Sequence, residues 1–266
     1  MSSIIEAAEF VSRWPGQGIK FPEFDPKTSQ FSDDLAKVVE GYETIKYLEV
    51  ARPAVFDLSE LTPENAEDKL RAFAALIALQ GSPETGGLSA LAKAKNIALE
   101  SAARHVANTA GPMVRYAIEQ LTPEFEQDAR TYVECVAALP DDFTAETLLA
   151  AGTDVVTAYQ RAKAVVIQLD RVSSFIAATS TLPTHSVTIE PVIRILRPAS
   201  ITELAKLDAA HATPANATLR ALNPIYWTAA REGIEFGINT LREAAALRKR
   251  LETVTPQQIP GVATLR

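Results

Sequence analysis

The stretch from Asp154 to Ala178 leaves few folds open. Val155, Tyr159, Ala162, Val166, Leu169 and Ile176 recur at helical spacing and share one arc, while Arg161, Lys163, Gln168 and Asp170 take the opposite side. Thr153 or Asp154 supplies a cap at its start, and Pro183 stands just beyond its end. A helix of that span is about 40 Å long and needs apolar partners along the whole of one face. The remaining sequence has to provide them.

Most of it reads as further helix. Ser2 or Ser3 opens a short helix over residues 4–13, with Ala7, Ala8 and Val11 on one side. Ser32-Asp33-Asp34 opens another through about Glu49, with Val38, Tyr42, Ile45 and Leu48 on its apolar face. Leu61-Thr62-Pro63-Glu64 combines a cap, a proline for the first helical position and an acid for the positive end of the dipole. The helix it starts runs to about Gln80, on a face of Leu70, Phe73, Ala74 and Ile77. Next comes an alanine-rich helix from Leu88 to about Ala110, whose Leu91, Ala94, Ala98 and Ala102 would let a partner approach closely. Gly111-Pro112 breaks or kinks it. A second Leu-Thr-Pro-Glu, at 121–124, reads as another helix start, with the helix extending to about Leu139. Ser200 caps a helix to about His211. Asn223-Pro224 begins a final long helix to about Glu252, with Trp227, Ile234 and Leu241 repeating every seven residues.

Two stretches resist helix. Residues 14–31 carry Trp14, Phe21, Phe24 and Phe31 between three prolines. So many aromatics in an irregular segment must be buried, either on the chain's own domain or on a neighbour. Residues 186–197 are β-rich, with Val187 and Ile189 alternating before Pro191 and Ile193 and Ile195 after it. Residues 52–58 are also extended in character, so the two form a candidate ribbon. Alone in water such a ribbon is marginal and would lie on helices or on a partner's edge.

The fold expected is therefore mainly α: an irregular multi-helix bundle with a minor β ribbon. Its organisation is an N-terminal helix and aromatic arm (1–31), a helical domain (32–252, with a sub-boundary near 182–200) and a tail (253–266).

Chemistry is hard to find in these residues. His105, His185 and His211 are scattered, and none has a ligand at metal-binding spacing. Cys135 is the only cysteine, so no intrachain disulfide exists, and a buried thiol is its expected state. Asp141-Asp142 precedes a helix and does not line one, which fits capping better than magnesium. No phosphate-binding or nucleophile-elbow pattern occurs. With a net charge of −7 the chain has no basic face suited to nucleic acid. No apolar run is long enough for a membrane span, and the first residues lack the pattern of a signal peptide. These features predict no catalytic, cofactor or metal site. They predict a structural or protein-interaction subunit of a larger assembly, such as a bacterial virus particle or bacterial complex, located in the cytoplasm or in the particle. Trp14, Phe21, Phe24, Phe31, Val187, Ile189, Ile193 and Ile195 are the interaction candidates. The alternative is a helical enzyme or small-ligand binder with a pocket between helices.

Overall fold

The computed structural model describes residues 3–27, 29–49, 62, 65–80, 90–141, 144–185, 187 and 190–253. The chain is mainly α-helical with one small antiparallel sheet, as the patterning predicts. It divides into two compact units, Met1–Pro112 and Met113–Arg266.

In the first unit, α1 (Ser3–Ser12) and α2 (Leu35–Tyr47) both pack on α4 (Ala90–Ala110). Ala7, Ala8 and Val11 of α1 and Leu35, Val39 and Tyr42 of α2 are buried with Ala103, Val106 and Ala107 of α4. Asp34 starts α2 by accepting from the N–H groups of Ala36 and Lys37. Tyr42 donates to Glu9 at 2.8 Å, and the same carboxylate oxygen holds Lys46 at 2.6 Å. The Lys95 ammonium donates to the Lys46 and Leu48 carbonyls at 3.0 and 2.5 Å, satisfying the end of α2. The remaining helix, α3 (Ala66–Gln80), packs on α4 more sparsely. Of the Thr62-Pro63-Glu64 start, Pro63 and Glu64 lie outside the described residues. There the Thr62 N–H donates to the Asn65 carboxamide at 2.8 Å.

In the second unit, α5 (Val114–Ala137) and α7 (Thr153–Ala178) form the central pair. The face predicted for α7 is the one that is buried, through Ala162, Val166, Leu169 and Ile176. Gly152 is its N-cap, at φ +97°, and neither Thr153 nor Asp154 takes that place. The second Leu-Thr-Pro-Glu starts no helix: α5 runs straight through it with Pro123 inside. Two features explain this. Leu121, Phe125 and Ala129 are buried on one face and hold the segment in place. The Thr122 hydroxyl also bonds back to the Ile118 carbonyl at 2.8 Å, a helix-interior contact in place of a cap. Short α6 (Ala145–Ala150) begins at Thr144 in a capping box with Thr147. Ser200 caps α8 (Ile201–Ala212), as read, and Asn216 caps α9 (Ala217–Arg220).

The predicted last long helix is two helices with a strand between them. Gly233 ends α10 (Pro224–Glu232) at φ +70°, and the Ile234 N–H donates to the Ala229 carbonyl at 2.8 Å. Strand β2 (Glu235–Phe236) follows, and α11 (Leu241–Thr253) starts afresh. Thr240 and Glu243 close a capping box at its start, each side chain accepting from the other's backbone N–H. Trp227, Ile234 and Leu241 are all buried, but on α10, on the turn that follows it and on α11. Strand β1 (Leu196–Arg197) lies within the β-rich stretch and pairs with β2, Leu196 opposite Phe236 and Arg197 opposite Glu235. The other half of the expected ribbon, residues 52–58, lies outside the described residues, as does the tail from residue 254.

Candidate functional site

Within the first unit, one surface is built unlike the rest. From Ala72 to Leu79, α3 carries no polar side chain: Ala-Phe-Ala-Ala-Leu-Ile-Ala-Leu. A helix apolar all the way round belongs in an interior. Yet no residue of α3 is buried. Phe73 and Ile77 are half-covered on the stripe that also includes Lys69 and Gln80. Flanking that stripe, Leu70 on one side and Leu76 and Leu79 on the other are 56, 42 and 58% exposed, and on the first turns of α4 Leu91 and Ile97 are 42 and 71% exposed. Ala94 and Ala98, predicted as a close-approach stripe, are exposed beside them. Single exposed leucines are ordinary, but this many exposed large apolar side chains on two packed helices are not.

The sequence candidates lie elsewhere. Trp14 is buried, edge-on to Phe10 at 5.9 Å and tilted against Phe21 at 6.4 Å, while Phe21, Phe24 and Phe31 are half-buried. In the second unit Ile193 and Ile195 are buried in the core. Val187 is half-buried, and Ile189 lies outside the described residues. Most of what the sequence offered to a partner is thus spent partly or wholly on the chain's own interior. Sequence reasoning missed the exposure of Leu76 and Leu79, although the unbroken apolar run at 72–79 marked them, and no local pattern marks Leu70 or Ile97.

Two of the hollows in the second unit border α5. A groove of about 520 Å³ runs between one face of α5 (Ala129, Arg130, Val133) and the end of α10 with β2 (Ala230, Ile234, Phe236). A smaller, more polar cleft of about 240 Å³ is bordered by Arg115, Arg197, Phe125, Gly237 and Glu243. The Arg197 guanidinium is already committed there: it donates to Asn239, Glu235 and the Ile238 carbonyl at 3.0–3.2 Å.

Several charged and polar groups of the second unit are paired. Arg248 joins Asp208 and Glu190 at 2.7 Å each, and its hydrogen bond to Asp208 heads the causes that raise its pKa. Tyr226 donates to Asp170 at 2.8 Å; burial and that carboxylate push the phenol well above its ordinary range. Tyr132 donates to the Leu222 carbonyl at 2.6 Å and stacks edge-on with Tyr226 and Phe236. Burial also raises the Cys135 thiol, which keeps it protonated and a poor nucleophile. Asp141 pairs with Arg231 at 3.1 Å. Among the described residues, no three His, Cys, Asp or Glu side chains converge as a metal site would require. None of the described helices is long and apolar enough to cross a membrane.

No protein-family model, curated protein or solved structure matches this chain.

Proposed function

We propose that the chain is a structural, protein-interacting subunit of a larger assembly, and that it joins the assembly through the apolar face of α3 and the first turns of α4. The carrying observation is the exposure of Leu70, Leu76, Leu79, Leu91 and Ile97 on two packed helices. Leaving such surface in water is unfavourable by roughly 25 cal/mol per Å², so a partner that covers it is strongly favoured. Because α3 contributes no buried residue to its own unit, its apolar character serves that unit's core poorly and a neighbour's well.

The test is the size of the chain in native extract. The proposal expects it to elute well above its own 28.7 kDa. Leu76→Glu with Leu79→Glu is expected to return it to the size of the free chain. Elution of the wild type as the free chain would overturn the proposal.

A second reading rests on the groove between α5 and the α10–β2 segment. Its volume and its floor of Ala129, Val133, Ile234 and Phe236 suit a small apolar ligand. Native mass spectrometry of the purified chain tests it: a retained small molecule supports ligand binding, and a bare chain mass counts against it.

A further inference from the structure

We infer that the hollows beside α5 receive an extended segment of another protein, apolar and basic in alternation, which adds as a strand to the free edge of β2. This surface lies in the second unit and does not depend on the α3 contact proposed above. The two hollows form one furrow, since Glu126, Glu235 and Phe236 line both. Along α5 it runs from Glu119 to Glu134. At 1.5 Å per residue that is about 22 Å, which an extended chain covers in about seven residues.

The backbone of the wall opposite α5 is the first ground. Leu196 stands opposite Phe236, and the Gly237 N–H donates to the Ile195 carbonyl at 3.0 Å. Bonded and non-bonded pairs alternate along an antiparallel ladder, so Phe236 turns its N–H and C=O away from β1. The Asn239 N–H bonds inward again, to the Arg194 carbonyl, which leaves the Ile238 N–H outward. Among the described residues none pairs with the Phe236 N–H, the Phe236 carbonyl or the Ile238 N–H. Ile238 is only 7% exposed, and backbone groups in such positions are almost always paired. Lysine and proline, which commonly guard a strand edge, are both absent from residues 233–238. A small apolar ligand would leave these groups unpaired; an added strand pairs them.

The side chains are the second. Alternate residues of a strand point to opposite faces, so one set of the occupant's side chains rests on the floor of Ala129, Val133, Ile234 and Phe236. The rim sets the charge of the other set. Arg115 pairs with Glu243 and Arg197 with Glu235. Glu119, Glu126 and Glu134 then stand against Arg130, all four exposed. That excess of carboxylate favours lysine or arginine on the occupant. A second copy of this chain, at −7, brings an excess of the same sign.

The experiment titrates the purified full chain into a fluorescein-labelled peptide, Lys-Val-Lys-Val-Lys-Val-Lys, and reads anisotropy. The peptide is expected to bind with a dissociation constant below about 100 µM, and its counterpart with glutamate for lysine is expected not to bind. Two further peptides carry N-methyl groups on the valines alone or on the lysines alone. A strand on an edge uses alternate N–H groups, so one of these should lose at least ~10-fold in affinity and the other stay within ~3-fold. On the protein side, Glu126→Lys with Glu134→Lys, and separately Val133→Arg, change exposed positions of α5 and should each weaken binding at least ~10-fold with unchanged circular dichroism. No binding of the lysine peptide overturns the inference. So does an equal response to the two methylated peptides, or either variant binding as the wild type does. A small molecule retained in the furrow through purification, or displacement of the probe by a synthetic peptide of residues 254–266, gives the furrow to another occupant and overturns it as well. None of these outcomes touches the α3 contact, which the size of the chain in native extract tests.

Discussion

The Asn239 carboxamide donates to the Ile193 carbonyl at 2.8 Å, joining two points 46 residues apart. The same nitrogen reaches the Leu196 carbonyl at 3.0 Å, and the side-chain oxygen accepts from Arg197. One buried amide therefore secures the segment leading into β1. Asn239→Leu leaves two carbonyls without that donor and is expected to cost about 2–4 kcal/mol, read by chemical denaturation. A loss under about 1 kcal/mol would mean that the segment is held by its apolar packing alone.

Gly237 and Arg197 form a second tight relationship. A Cβ on Gly237 would lie 2.6 Å from the Arg197 guanidinium carbon. Three hydrogen bonds hold that guanidinium, so it does not move aside freely. Gly237→Ala is expected to destabilise by about 1–2 kcal/mol. In an Arg197→Ala background the same change should cost much less. A double-mutant cycle by denaturation measures the difference, and strict additivity would contradict the close contact.

Pro123 sits inside α5, where the i−4 hydrogen bond to Glu119 is missing. Pro123→Ala restores that bond and should raise stability by about 1–3 kcal/mol, less what proline gained by stiffening the unfolded chain. The readout is the denaturation midpoint; a fall would show that the helix requires the proline's geometry.

Acid should weaken the first unit through Glu9. Burial raises this carboxyl, but hydrogen bonds from Lys46 and Tyr42 outweigh it and leave it below its ordinary 4.5. A carboxylate depressed in the folded state stabilises above its unfolded pKa, and that contribution is lost as pH falls through the folded value. Glu9→Gln should therefore unfold more easily than wild type at pH 7, with the gap closing below about pH 4.5. A gap that persists at pH 3 would place the effect in packing.

How much of this was legible in the sequence depends on what each signal reports. The α7 face and the Asp34 and Ser200 caps were readable because spacing and capping chemistry act locally. Leu-Thr-Pro-Glu at 121–124 misled because a good start signal yields to burial: Leu121 and Phe125 hold the helix through it. The break after Gly233 was hidden by the seven-residue spacing of Trp227, Ile234 and Leu241, which imitates a single helix face. Pairing of β1 with β2 joins residues about 40 apart, and no local pattern reports that. The interaction candidates were chosen for apolarity, which sequence shows; exposure, which it does not show, left Trp14, Ile193 and Ile195 inside and Leu70, Leu76, Leu79 and Ile97 outside.

Hydrogen exchange along α3 reads most directly whether its apolar face is covered by another molecule. In the intact assembly amide exchange at residues 72–79 should be slower than in the purified chain, while α7 stays unchanged. Exchange at 72–79 that is equally fast in both, with α3 still helical, would show that no partner sits on that face.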